Sequence, residues 1–122
     1  MKIVFISFAI MAFYGFAVAD KLTGRWESKP SDKGNVTGVL FREDNSFEGY
    51  VNKKPFVFGT YSFTPEDSVL TFTDNGCNGL RGIYKILFFS NSDSIRFVAV
   101  NDSCAERKQG MERLIIGRVK KK

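Results

Sequence analysis

The sequence predicts an all-β domain: a small eight-stranded antiparallel meander barrel, with one short helical turn before the last strand. Three observations predict this fold class. Apolar residues alternate with a period of two through most of the chain, polar turn residues recur between the apolar runs, and helical periodicity is scarce. Eight strands joined by short connections can close on themselves, which removes the exposed edges of the sheet.

Residues 1–19 have the features of a cleaved signal peptide. Lys2 precedes an apolar run from Ile3 to Phe16, and Ala17-Val18-Ala19 is the small-x-small pattern that signal peptidase accepts. The alternative is an uncleaved membrane anchor, but the run is short for a hydrocarbon core about 30 Å thick. We therefore expect a secreted or periplasmic protein with no stable membrane span after cleavage. No cysteine lies at the junction to carry a lipid.

Residues 20–122 are enough for one domain. The whole chain has a formal charge of +5, and the C-terminal tail, residues 120–122, consists of lysines. A basic tail can contact anionic lipid or polysaccharide, although a solvated chain end is its commoner role. No basic stripe is interleaved with aromatic residues, so we do not expect nucleic-acid binding.

The strand assignments follow from the alternation and from the turn residues between the runs. The predicted strands are 22–29, 36–43, 46–51, 56–63, 68–73, 81–89, 94–100 and 112–119. In the segment 101–111 the alternation breaks. Asp102 or Ser103 could cap a single helical turn over 105–108, with Gly110 ending it.

Two features of the strands concern barrel closure and the outer surface. Glycines inside strand patterns indicate bulges or sharp coiling; they are Gly38, Gly49, Gly59 and Gly82. In the strand 81–89, Ile83, Leu87 and Phe89 share a face with Lys85, so this strand is apolar on both faces. We expect its outer face to be covered by the 101–111 segment, by a partner subunit or by another strand layer.

Cys77 and Cys104 are the only cysteines. In an exported protein such a pair indicates a disulfide. It would close a loop of about 28 residues and stabilise the fold by about 3–4 kcal/mol. The alternative, half of a metal site, lacks nitrogen ligands because the chain contains no histidine.

With Gly24-x-Trp26 on the first strand, the chain resembles the calycin group, which includes lipocalins, avidins and fatty-acid-binding proteins. It is most similar to small exported lipocalin-like domains of bacteria. The matching residues in the second half of the chain are Cys77, Gly82-Ile83-Tyr84 and Asp102-Ser103-Cys104-Ala105-Glu106-Arg107. The resemblance implies that Trp26 packs across the closed end of the barrel and that Arg118, in the last strand, lies over its indole. Such a contact is worth about 0.5–2 kcal/mol.

The resemblance and the barrel class together predict a non-catalytic binding protein for a small apolar or amphipathic ligand. Eight-stranded barrels hold one small ligand or are filled by their own side chains. The candidate interior residues are Phe41, Phe47, Phe56, Phe58, Tyr84, Phe88 and Phe97. The chain has no clear equivalent of the C-terminal helix of larger lipocalins, so a roomy calyx is not implied.

Other function classes fit the sequence less well. Without histidine the usual general base is missing, so we expect no enzyme, no catalytic residue, no metal and no cofactor. The alternative to ligand binding is a side-chain-filled barrel that acts as an envelope interaction or inhibitor module. A protein partner or a second copy would bind through Ile83, Leu87 and Phe89.

Overall fold

The computed structural model describes residues 22–120 of the chain. Over these residues eight antiparallel strands form one closed barrel, in which each strand pairs with its neighbours in sequence and the first strand also pairs with the last. A single short helix precedes the last strand. The predicted fold class is therefore confirmed. The predicted signal peptide, residues 1–19, lies outside the described residues, as do the last two lysines of the predicted tail.

The elements follow the predicted order closely. The strands are β1 Gly24–Glu27, β2 Thr37–Phe41, β3 Ser46–Val51, β4 Lys54–Thr64, β5 Val69–Asp74, β6 Gly82–Phe89, β7 Ser94–Asn101 and β8 Ile115–Arg118. A short 3₁₀ helix, Cys77–Gly79, follows β5, and the helix α1, Ala105–Arg113, connects β7 to β8.

The connections between strands divide between two ends of the barrel. The β2–β3, β4–β5 and β6–β7 turns lie together with the start of β1 at what we call the closed end. The β1–β2 loop, the β3–β4 turn, the β5–β6 connection and the β7–β8 connection with α1 lie at the other, the open end. The three hairpin turns at the closed end are short, whereas the open end also carries longer connections, including the one that contains α1.

The core fills the barrel most completely near the closed end. Five apolar side chains there are at most 1% exposed: Leu22, Trp26, Ile86, Ile95 and Ile116. Aromatic residues continue the core across β2 to β5 in edge-to-face pairs, with Phe41 and Tyr61 at 4.9 Å and Phe47 and Phe72 at 5.6 Å between ring centroids. Burial of each such side chain contributes about 1.5–3 kcal/mol.

Glycines allow the strands to curve and close. A Cβ on Gly59 in β4 would lie 2.0 Å from the carbonyl oxygen of Thr73, so the two backbones can approach only because Gly59 has no side chain. A Cβ on Gly38 would lie 2.2 Å from the ring of Tyr50, which crosses the outer face of β2 at this point and bonds to Glu27. The register between β3 and β4 also shifts after Gly49, as the predicted bulge requires.

The helix α1 is longer than the predicted single turn. It continues through Gly110 to Arg113, so the expectation that Gly110 ends it is wrong. Glycine in a helix interior costs about 1 kcal/mol, and here Met111 and Leu114 pack against the core and offset that cost. The predicted side-chain cap is also wrong: Cys104 occupies the N-cap position with no side-chain bond.

The outer face of β6 is apolar, as the sequence indicates. Ile83 and Leu87 are partly buried between neighbouring strands, and Phe89 is 40% exposed. The helix α1 packs against β7. Val98 on β7 and Ile115 on β8 are exposed on the same side of the barrel and extend the apolar surface.

Candidate functional site

The closed end of the barrel is held by Trp26 and Arg118, which face each other across the β1–β8 pairing. The indole is fully buried, and the guanidinium carbon of Arg118 lies 4.2 Å from the ring centroid. Trp26 Nε1 donates to the Leu22 carbonyl oxygen at 2.9 Å, and Arg118 Nη1 donates to the Thr23 carbonyl oxygen at 2.9 Å. The predicted contact between the two ends of the chain is confirmed.

Gly24 is required at this end for a steric reason. Its φ of +119° is a conformation that side chains disfavour, and a Cβ there would lie 3.2 Å from Arg118 Nη1. The Gly24-x-Trp26 pattern therefore serves the packing of Arg118 on the indole. These three residues are structural and lie away from the open end.

The barrel contains a cavity of about 670 Å³ that reaches its open end. It extends from Phe41, Phe47 and Leu70 in the barrel interior to both cysteines at the open end. Most of its lining is apolar, and Met111 and Leu114 form its wall on the side of α1. The interior is thus partly hollow, with the space running from the aromatic core to the open end.

A disulfide holds the helical wall of the cavity in place. The Sγ atoms of Cys77 and Cys104 are 2.05 Å apart, which confirms the predicted bridge. Cys77 begins the short 3₁₀ helix after β5, and Cys104 is the residue before α1. The bridge therefore ties the β5–β6 connection to the start of α1, and both cysteines line the cavity.

A buried polar cluster beside the disulfide makes a second connection between α1 and the barrel. Arg107 donates from Nε and Nη2 to the two carboxylate oxygens of Asp102, both at 2.9 Å, and from Nη1 to Asp74 Oδ2 at 3.3 Å. Arg107 Nη2 also donates to the Leu80 carbonyl oxygen at 2.9 Å. The Tyr84 hydroxyl donates to Asp102 from inside the barrel. We call Asp74, Tyr84, Asp102 and Arg107 the Arg107 cluster.

The electrostatics of this cluster follow from its burial. The side chain of Asp102 is 0% exposed and that of Arg107 is 9% exposed. Burial alone would raise the pKa of Asp102, but the hydrogen bonds from Arg107 and Tyr84 outweigh it and lower the pKa to about 2. Burial, and then the hydrogen bond to Asp102, raise the pKa of Tyr84 above its ordinary value.

The cavity can bind a ligand through apolar contacts. Arg107 is the one basic side chain among the described residues that line the cavity. It forms ion pairs with two carboxylates, so its charge is already neutralised. Within residues 22–120, every buried side-chain nitrogen and oxygen has a hydrogen-bond partner. No group of three or more potential metal ligands comes together in the same range.

The seven residues predicted to line the interior do not all lie there. Four are buried inside the barrel, and Phe88 packs at its edge with its ring 6.3 Å from that of Phe63. Three of the buried four line the cavity. The buried residues are Phe41, Phe47, Tyr84 and Phe97, of which Tyr84 does not line the cavity.

Phe56 and Phe58 are not in the interior, and that prediction is wrong. They are 60% and 50% exposed, because the inward positions of β4 are the odd-numbered ones, such as Val57 and Tyr61. Both faces of this strand carry large apolar residues, so the alternation alone does not choose between them. Thr60 and Ser62 share a face with Phe56 and Phe58, and their polar side chains could have identified that face as the outer one. Phe56 nevertheless borders the cavity at the open end.

Sequence reasoning missed several cavity residues. Val57, Leu70, Phe72, Met111 and Leu114 all line it. Leu70 and Phe72 alternate with threonines on β5, a pattern that indicates an inward face and could have identified them. Nothing in the alternation indicates Met111, because it lies in the part of α1 beyond the expected single turn, whereas Leu114, the C-cap residue, falls within the predicted strand 112–119.

Comparisons with known proteins identify no family for this chain. The sequence matches no family model and no curated protein. The resemblance to lipocalin-like domains therefore stays a prediction. Between Leu22 and Lys120, no helix is long and apolar enough to cross a membrane. The disulfide fits an oxidising, extracellular compartment.

Proposed function

We propose that the protein is an exported, lipocalin-like binding protein that holds one small apolar or amphipathic molecule in the cavity of its barrel. The observation that carries this proposal is the cavity of about 670 Å³ with a mainly apolar lining. Pockets for small molecules are typically about 300–1,000 Å³ and largely apolar, with few polar groups.

The binding energy comes from apolar surface rather than from charge. Phe41, Phe47 and Phe97 offer aromatic faces to the cavity, while the guanidinium of Arg107 is already bonded to Asp74 and Asp102. Burial of apolar ligand surface contributes about 25 cal/mol per Å². Affinity for a neutral ligand should therefore vary little with salt, because the Debye screening that weakens ion pairs leaves apolar contacts intact.

The direct test is titration of the protein with Nile red, a neutral apolar dye whose fluorescence rises in dry surroundings. Val39 points into the cavity from β2, and Val39→Trp would fill part of the volume. We expect this variant to bind the dye at least tenfold more weakly. Val98→Trp places the same side chain on the outer face of β7 and should bind as the unchanged protein does.

Two results would contradict the proposal. One is the absence of dye binding by the unchanged protein at low and high salt. The other is equal binding by Val39→Trp and the unchanged protein when thermal melting shows that both are folded. Native mass spectrometry of the protein from its own host adds an independent readout, since a ligand held in a cavity is retained on purification.

A second candidate function is protein binding through the outer face of the barrel. Phe89, Val98 and Ile115 are 40%, 39% and 55% exposed on β6, β7 and β8, and such apolar patches mark interaction sites. Sedimentation velocity over a range of concentrations tests self-association through this face. We expect a dimer that Ile115→Lys disrupts; a monomer at all concentrations contradicts self-association.

A further inference from the structure

Charge is distributed unevenly between the two ends of the barrel. The connections and strand ends at the open end carry seven exposed basic side chains, which we call the basic rim: Lys29, Lys33, Lys53, Lys54, Arg81, Lys108 and Arg113. The exposed acidic side chains of the same described segments are Asp32, Glu106 and Glu112. The three hairpin turns at the closed end have the opposite balance, with Glu43, Asp44, Glu66, Asp67 and Asp93 against Arg42 and against Lys120, which follows β8 and pairs with Asp93.

Exposed apolar side chains accompany the basic rim. Phe56 is 60% exposed two residues after Lys54, and Leu80 is 45% exposed next to Arg81. Val100, at the open end of β7, is 61% exposed. Apolar groups beside lysines and arginines form the combination that enters the interface of a lipid bilayer while the cations contact its headgroups.

We propose that the open end of the barrel docks on an anionic lipid surface. The basic rim would contact lipid phosphates, and Phe56 and Leu80 would enter the boundary between headgroups and acyl chains. The exposed side chains at this end have an excess of four positive charges, and each such charge near an anionic leaflet strengthens binding about fivefold. We favour a lipid surface over an acidic protein because single apolar side chains set among lysines and arginines match a bilayer interface, where cations contact the headgroups and apolar groups enter below them.

This docking orients the cavity towards the membrane, because the cavity opens at the same end and Phe56 borders it. An apolar ligand could then pass between the bilayer and the barrel without crossing water. The docking itself rests on the charge and exposure of the open-end segments alone. It holds whether or not the cavity binds a ligand.

Co-sedimentation with vesicles tests the proposal. The unchanged protein should bind vesicles of phosphatidylcholine mixed with phosphatidylglycerol, should bind pure phosphatidylcholine much more weakly, and should be released by high salt. Replacing both Lys53→Gln and Lys54→Gln should weaken binding to the mixed vesicles about 30-fold, since each lysine accounts for about fivefold. The matched control, Lys85→Gln with Arg96→Gln, removes the same charge from the barrel wall and should change binding less than twofold.

The apolar part of the proposal has its own matched pair. Phe56→Ser should weaken binding to mixed vesicles several-fold, whereas Phe89→Ser, which removes an exposed phenylalanine near the closed end, should leave it unchanged. Three outcomes overturn the proposal. The first is equal binding of the unchanged protein to both kinds of vesicle. The second is a loss of vesicle binding in the Lys85 and Arg96 control as large as that in the Lys53 and Lys54 variant. The third is a loss of binding when residues 120–122 are deleted, with no loss in the Lys53 and Lys54 variant. Failure here with normal Nile red binding leaves the proposed function intact.

Discussion

Replacing Asp102 by asparagine should destabilise the protein in a way that depends on pH. The carboxylate is 0% exposed and accepts bonds from Arg107 and Tyr84 and from the Cys104 amide. An asparagine has nearly the same shape but no charge, and removing one partner of a buried ion pair costs about 3–5 kcal/mol. Asp74 still bonds to Arg107, so we expect the lower end of this range, about 3 kcal/mol at neutral pH.

The pH dependence follows from the pKa of Asp102. Burial opposes its ionisation, but bonds from Arg107 and Tyr84 lower the pKa from 3.8 to about 2. A carboxyl with a lowered pKa stabilises the fold fully above its unfolded pKa and loses that contribution as the pH falls through its folded pKa. The shift is worth about 2 kcal/mol. The stability difference between the protein and Asp102→Asn should therefore shrink by about 2 kcal/mol from about pH 6 to about pH 2.

The assay is urea unfolding followed through the fluorescence of Trp26, the only tryptophan. It is repeated at several pH values for the protein, Asp102→Asn and Asp67→Asn. Asp67 lies exposed in the β4–β5 turn, and its variant should follow the unchanged protein at every pH. A stability difference for Asp102→Asn that is constant with pH would refute the ion-pair reasoning, and a difference under about 0.5 kcal/mol would refute the burial of the pair.

Four further variants test the packing and the disulfide. Gly59→Ala should cost about 3 kcal/mol or more, because its Cβ meets backbone at 2.0 Å. Gly110 lies in a helix with open space around it, so Gly110→Ala should stabilise the protein by about 0.5–1 kcal/mol in the same denaturation assay. A Gly110→Ala variant less stable than Gly59→Ala would contradict the placement of both glycines. Trp26→Ala should cost about 3–5 kcal/mol in calorimetry, and a change within error would show that the indole is not buried. Cys77→Ser with Cys104→Ser should cost about 3–4 kcal/mol, seen as a lower Tm that matches the reduced protein; an unchanged Tm would contradict a stabilising bridge.

The closed end could be predicted from the sequence because its constraints are local or belong to the chain ends. Trp26 is the single tryptophan, it lies two residues after Gly24, and the resemblance places an arginine of the last strand over it. Once a meander closes, β1 and β8 must be neighbours, so Arg118 has few other places to lie. The disulfide could also be predicted, since the chain has two cysteines and therefore one possible pairing.

The open end was harder to predict because it depends on volumes and on long-range bonds. Alternation in β4 shows that every second residue points inward, but it does not show which of the two sets does so. Phe56 and Phe58 were therefore placed on the wrong face. Whether an interior is hollow depends on how the inward side chains of eight strands fit together, and no single strand carries that information. The partnership of Arg107 with Asp74 joins residues 33 positions apart, and charge pattern alone does not select it.

The two connections of α1 explain why a short helix can form the wall of a cavity. Helices under about 12 residues are marginal alone, and α1 has nine residues, none of them fully buried. Its first turn is held by the Cys77–Cys104 bridge and by Arg107, while Met111 and the following Leu114 pack on the core from its other end. The helix α1 therefore depends on a covalent bond and a buried ion pair as well as on the packing of Met111 and Leu114, and together these contacts hold it as one wall of the cavity.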